Sequence, residues 1–204
     1  MADDIDALIE ELYEEADENR PEAETPDVGI IMGSDSDLDT MAGAYEALFD
    51  LGFSEVTVDG TPENRFTFES YVVSAHRTPE LMYAYAETAA DRGLSVIIAG
   101  AGGKSADLPN MTASIAFPVS VIGVPVQEKS VDSVIGMPTG APIVAVDAGK
   151  SYNAGLSAVQ VLASEHDELA ERLVEYHDDL VSGVADVSRA LHDRGIEGFR
   201  ERDG

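Results

Sequence analysis

Apolar residues follow two rhythms along this chain, and the change between them divides it. Ile5, Leu8, Ile9, Leu12 and Tyr13 stand at helical spacing in an otherwise acidic segment. That spacing predicts an amphipathic helix ending before Pro21, then a linker around Pro26, with the apolar stripe packed on the body or on a neighbouring subunit. From Val28 onward, short and continuously apolar runs alternate with helical stretches. Val28–Met32 reads as a buried strand, Ser95–Ala99 as another apolar strand, and Val119–Val124 and Ile143–Val146 as further strands, each followed by a turn rich in Gly, Pro or small polar residues. Residues Glu55–Val58 and Phe66–Val73 read as extended, with Asp59-Gly60 as a turn between them.

Between the strands, Leu38, Met41, Tyr45, Leu48 and Phe49 mark one helix face, and Leu81–Arg92 forms a second helix that Gly93 stops. Tyr152–Ser164 is a helix of small residues suited to close packing, within a subunit or between subunits. Glu165–Arg194 is a longer charged helical stretch, in one piece or two. Leu169, Leu173, Tyr176, Leu180, Val184, Val187 and Leu191 lie on its apolar face.

Strand, turn and helix in repetition, with strands apolar on both faces, imply an α/β fold: a doubly wound parallel sheet with helices on both faces, a flavodoxin-like or Rossmann-like three-layer sandwich. The expected organisation is an acidic helical extension over residues 1–27, an α/β catalytic domain over 28–164 and a C-terminal helical segment over 165–204. In such sheets ligands bind beyond the carboxyl ends of the strands, so the turns Gly33–Asp37, Ser74–Pro79 and Gly100–Lys104 should share one rim.

Charge narrows the partners. The 204 residues hold 40 Asp and Glu against 12 Lys and Arg, a formal net charge of −28, spread along the chain. Such an excess repels nucleic acid and anionic membrane, and it suits a surface kept soluble in a salt-rich cytoplasm. Cysteine is absent, which excludes disulfides and thiolate chemistry. No basic stretch leads into an apolar run of leader type, and no apolar run is long enough to span a bilayer. A soluble, cytoplasmic protein is expected.

The rim carries the candidate chemistry. In Ser74-Ala75-His76-Arg77-Thr78-Pro79, Pro79 suits the first position of a helix and Thr78 its N-cap. The turn therefore lies at a helix N-terminus, which attracts anions. Arg77 can clamp a phosphate in bidentate fashion, and His76 can carry a proton near neutral pH. Gly33-Ser34-Asp35-Ser36-Asp37 offers amides and hydroxyls to phosphate and a carboxylate to ribose, although taken alone it reads better as an ordinary helix cap. It lacks the spacing of a Walker A loop or a dinucleotide fingerprint, which disfavours ATP and NAD. Gly100-Ala101-Gly102-Gly103-Lys104 lets a substrate approach the backbone and adds a cation; a flexible turn with a solvated lysine fits that segment alone equally well. Asn110, Met111 and Met137 are pocket or core candidates, and Gly136–Gly140 is a lid or a connection. His166, His177 and His192 have no metal-ligand spacing and read as surface residues.

Taken together, MGSDSD (Met32–Asp37), SAHRTP (Ser74–Pro79), AGAGG with LPNM (Ala99–Gly103, Leu108–Met111), GVPVQ (Gly123–Gln127), VDS with MP (Val131–Ser133, Met137–Pro138) and NAGL (Asn153–Leu156) resemble, in order, the class I N5-carboxyaminoimidazole ribonucleotide mutases of purine biosynthesis. The resemblance spans about Val28 to Ala163. It implies a homo-octamer with active sites where subunits meet, an imidazole ribonucleotide substrate, and carboxylate transfer from the exocyclic nitrogen to ring carbon C4 without metal, ATP or other cofactor. It makes His76 the general acid/base, Ser34 and Arg77 the phosphate ligands and Asp37 the ribose ligand. The full substrate-binding set expected is Ser34, Ser36, Asp37, Ser74, Ala75, Arg77, Ala101, Gly102, Gly103, Lys104 and Leu108.

Three departures from that family's pattern stand out. Asp107 occupies the place of a histidine before Leu-Pro and Lys104 the place of a small residue, and the segment from Gly123 to Met137 is short. Residues Asp59–Phe68, the acidic N-terminal helix and the tail beyond Ala163 have no expected counterpart. Two rivals follow: a carboxylase of the same fold using free carbon dioxide, and a nucleotide-binding protein without turnover. The pair of His76 with Arg77 speaks against the latter, because binding alone needs no imidazole.

Overall fold

Six strands, β1 (Val28–Met32), β2 (Ser54–Glu55), β3 (Thr67–Val72), β4 (Val96–Ala101), β5 (Ser120–Pro125) and β6 (Val144–Ala145), form one sheet in the order β2-β3-β1-β4-β5-β6. The structure is a computed structural model and describes residues 2–18, 20–21, 25–57 and 62–200, with only the backbone of residues 2 and 3. Every strand pair is parallel, with Val28 level with Phe68 on one side and Val96 on the other. The doubly wound sheet read from the sequence is therefore present.

Side-chain alternation along the strands feeds two cores. Ile31, Ile97, Ala99 and Val121 pack with α1 (Ala2–Asp17), α3 (Pro79–Thr88), α4 (Leu108–Ile115) and α5 (Val131–Ile135). Ile30, Met32, Val96, Ile98, Ile122 and Val124 face the other way, against α2 (Leu38–Asp50), α6 (Ser151–Leu162) and the first turn of α7 (Asp167–Arg200). Burial on both faces is why these strands read as unbroken apolar runs.

The N-terminal stripe packs on the body: Leu12 is buried, with Ile5, Leu8 and Ile9 partly so, and Tyr13 Oη donates to Glu87 Oε2 of α3 at 2.7 Å. Beneath it Arg92 Nη1 lies 2.8 Å from Glu69 Oε1 and 3.5 Å from Glu15 Oε2. On the opposite face α6 approaches α2 so closely that a Cβ on Gly155 would stand 2.7 Å from Ala47 Cβ and 2.9 Å from the Ala44 carbonyl oxygen. The small-residue helix thus serves packing within the subunit.

Several expectations need correcting. Leu38 and Phe49 are exposed, and Ala44 and Ala47 are buried in their place, because the close approach of α6 admits only methyl groups there. β2 and β3 pair in parallel, so a tight turn cannot join them; Asp59 and Gly60 lie outside the described residues. α7 runs to Arg200 with a break at Gly195 (φ 69°, ψ 173°), but only its start is packed: Leu169 is buried, whereas Leu180, Val184, Val187 and Leu191 are exposed. His166 is no plain surface residue, since its ring packs edge-on at 5.0 Å from that of Phe66.

Candidate active site

The strand order reverses at β1, whose neighbours β3 and β4 leave in opposite directions, and the crevice beyond their carboxyl ends is the site. A cavity of about 320 Å³ opens there, lined by Gly33, Ser34, Ser36 and Asp37 after β1, Ser74, Ala75 and His76 after β3, Ala101, Gly102, Gly103, Ser105, Asp107 and Leu108 after β4, and Gln127 and Lys129 after β5. The three turns expected on one rim do converge. Gly103, at φ +86°, makes the turn after β4 with a backbone that suits glycine, and space for a further atom lies open beside it.

The turn after β1 is a single turn of 3-10 helix capped by Ser34, whose Oγ accepts from the Ser36 amide at 3.3 Å and donates to Asp35 Oδ1 at 2.9 Å. Asp37 is buried, and that burial pushes its carboxyl above the ordinary value against a hydrogen bond from the Ser34 backbone and the charge of Arg77. Arg77 does not line the cavity. Its Nη2 donates to the Gly33 carbonyl at 2.8 Å and its Nε to Ser74 Oγ at 3.3 Å, so it ties the turns after β1 and β3 together. Thr78 departs from its expected capping part: its hydroxyl accepts from the Ser74 amide at 3.0 Å and donates to the Ser74 carbonyl at 3.2 Å, closing the turn that carries His76.

His76 is exposed, with Nε2 3.1 Å from Asp107 Oδ2. Asp107 Oδ1 accepts from Ser133 Oγ of α5 at 3.0 Å. The turn at residues 128–130 is held by Ser130, buried, whose Oγ donates to the Gly103 carbonyl at 2.8 Å; this stations Lys129 at the cavity. Lys104 is exposed and lies outside the lining, as do Asn110, Met111 and Met137; Asn110 Nδ2 instead donates to the Ser133 carbonyl at 2.8 Å. Sequence reading missed Ser105, Asp107, Gln127 and Lys129 as lining residues. The signal was available for the last two, since both follow the carboxyl end of an apolar strand in the sheet that forms the rim.

Chemically the cavity offers one imidazole, amides and hydroxyls for phosphate, a carboxylate for hydroxyls and one lining cation, Lys129, with Arg77 engaged between the turns after β1 and β3, beside an acidic surface. No cluster of three or more His, Cys, Asp or Glu suited to a metal ion occurs among the described residues.

The family model described as "AIR carboxylase" matches residues 27–182. The chain is 44% identical to the N5-carboxyaminoimidazole ribonucleotide mutase of Synechocystis sp., an alignment covering 87% of this chain and 96% of the relative. It is 46% identical to the mutase of that name from Mycobacterium tuberculosis, over 81% of this chain and 90% of the relative. It is also 41% identical to the chloroplastic phosphoribosylaminoimidazole carboxylase of Vigna aconitifolia, over 84% of this chain but 29% of that longer relative. The crystal structure of Treponema denticola PurE superposes with a TM-score of 0.65 at 23% identity, covering 80% of this chain and 97% of that one, which supports the fold. The family match continues to residue 182, so the early part of α7 has a counterpart, contrary to the expectation that nothing beyond Ala163 would.

Proposed function

The chain belongs to the AIR carboxylase family, and from that premise we propose that it is a class I N5-carboxyaminoimidazole ribonucleotide mutase of purine biosynthesis. The observation that carries this reading is the meeting of His76, Ser34, Asp37 and the Gly102-Gly103 turn around one cavity at the point where the strand order reverses. His76 gives a proton to the exocyclic nitrogen as its bond to the carboxylate carbon breaks, releasing carbon dioxide and aminoimidazole ribonucleotide. C4 of the ring then attacks the trapped carbon dioxide, and the C4 proton returns to His76 as the ring regains aromaticity. One proton is lent and recovered, so the transfer is balanced without a co-reactant. Backbone amides of Gly102 and Gly103 hold the carbon dioxide, and the cavity must close against water to keep it from escaping. Ser34 and Arg77 bind the phosphate, Asp37 the ribose, and Ser36, Ser74, Ala75, Ala101 and Leu108 complete the binding surface, with Lys104 at its margin.

The enzyme so read is a cytoplasmic homo-octamer adapted to concentrated salt. Two features support this: the exposed apolar positions Leu180, Val184 and Val187 on α7, which a neighbouring subunit would cover, and the excess of 40 acidic over 12 basic residues. Light scattering in concentrated KCl reads the assembly directly, and a monomer there would refute the octamer.

The carboxylase reading is kept by the Vigna aconitifolia relative. The deciding experiment supplies the purified protein, in concentrated KCl, either with the N5-carboxy compound or with aminoimidazole ribonucleotide, bicarbonate and carbonic anhydrase. Formation of the C4-carboxylated product from the first alone is expected. Preference for the second makes the protein a carboxylase, and no product above the enzyme-free control leaves a binding protein.

A further inference from the structure

An aspartate immediately before a helix normally caps it, accepting from the free amides of the first turn. Asp107 stands in that place before α4, yet its backbone is helical (φ −83°, ψ −13°) and its side chain makes no capping hydrogen bond. Both carboxylate oxygens are used elsewhere. Oδ1 accepts from Ser133 Oγ at 3.0 Å, and Oδ2 lies 3.1 Å from His76 Nε2. Ser133 is held in turn, its carbonyl accepting from Asn110 Nδ2 at 2.8 Å. The carboxylate is thus fixed from α4 and α5, while His76 is 60% exposed on a turn. An ion pair this exposed adds little to stability, so its geometric effect is what matters.

We propose that Asp107 is a positioning residue that fixes the tautomer and orientation of His76; the proposal rests on His76 being the proton carrier argued above. At 3.1 Å from Nε2, the Asp107 carboxylate favours the proton on that nitrogen, which leaves Nδ1 as the free base of the neutral ring. The protonated ring delivers the Nδ1 proton to the exocyclic nitrogen. It then waits, in the Nε2–H form, to take the C4 proton at the same atom. A ring free to flip, or to move its remaining proton to Nδ1, would miss that second transfer. The arrangement follows the general logic by which a carboxylate behind a catalytic imidazole selects the nitrogen that does the work.

The test compares Asp107→Asn, Ser133→Ala and His76→Asn in the full-length protein, with 15N spectra of the histidine-labelled enzyme. His76→Asn identifies the His76 signals among the four histidines. Asp107→Asn keeps the size of the side chain and removes no helix cap, so the fold is expected to survive. Its kcat should fall about 10- to 100-fold, less than the roughly 10²- to 10⁴-fold that the whole acid–base contribution supplies, with KM within about twofold. Its neutral His76 should change from the Nε2–H pattern to a mixture of tautomers. Ser133→Ala, which releases only the far oxygen, should shift both readouts the same way by a smaller amount. The proposal is overturned by a kcat within about twofold of the parent in Asp107→Asn, or by a lowered kcat with the His76 tautomer unchanged. Full turnover by His76→Asn overturns instead the proton-carrier reading beneath it.

Discussion

Two acid–base pairs in this molecule have similar N···O separations and opposite surroundings. Arg92 Nη1 lies 2.8 Å from Glu69 Oε1, with 1% and 8% of the side chains exposed, whereas His76 Nε2 lies 3.1 Å from Asp107 Oδ2 with 60% and 36% exposed. Burial acts to discharge Arg92, but the Glu69 carboxylate, with Tyr85 and Glu15, outweighs it and holds the guanidinium's pKa above its ordinary value. Arg92 is held in its charged state and joins α1 to the strand and helix beneath it. It does so at some expense, since Tyr85 Oη and Arg92 Nη2 are buried without a hydrogen-bond partner among the described residues. The outer pair stands at a cavity where a substrate can exchange a proton with it. One pair is architecture and the other, in the proposed mechanism, reagent, and solvent access separates them more than distance does.

The strongest test of that contrast is His76→Asn. It should lower kcat by about 10²- to 10⁴-fold while changing the free energy of urea unfolding by less than about 0.5 kcal/mol. Arg92→Met should do the reverse, leaving Glu69 charged and unpaired at a cost of about 3–5 kcal/mol in the same unfolding experiment, with kcat/KM of the folded enzyme preserved. A loss below about 1 kcal/mol would mean that water or relaxation reaches the inner pair and that the contrast is overstated. Arg77 lies between the extremes, exposed yet tying two turns. Arg77→Lys forfeits the fork that reaches the Gly33 carbonyl and should raise KM about tenfold, roughly 1.4 kcal/mol, with little change in unfolding.

The smallest effect concerns Asp37, a buried carboxylate on the reactive side of the molecule. Its pKa is raised, so as pH falls it takes up a proton earlier than an ordinary aspartate near about 3.9, and in its proposed role it then ceases to accept from ribose hydroxyls. KM should therefore begin to rise on acidification above that ordinary range. Asp37→Asn should have a higher KM that lacks this rise, and a parent profile without it would show that substrate binding reverses the effect of burial.

Much of this was legible in the residues. The strand Val28–Met32 was readable because both its faces are buried, and the rim followed because three successive strands end in small polar turns. Tertiary approach was not legible. Nothing in the α2 sequence says that Ala44 and Ala47, not Leu38 and Phe49, face inward; that depends on Gly155, more than a hundred residues later. Asp107 likewise read as a departure from a pattern. Its meaning appeared only when Ser133 and His76 were found on either side of its carboxylate. Periodicity reports which positions are apolar, and side-chain pairing across elements is invisible to it.

The outermost strands, β2 and β6, each contain two residues, and they flank longer strands buried on both faces. A sheet with such stubs at its margins gives another chain almost no free backbone ladder to continue. Edge-to-edge polymerisation, the usual hazard of an open sheet, is thereby discouraged at both ends. The molecule can carry an apolar interior through a crowded solution without seeding fibrils.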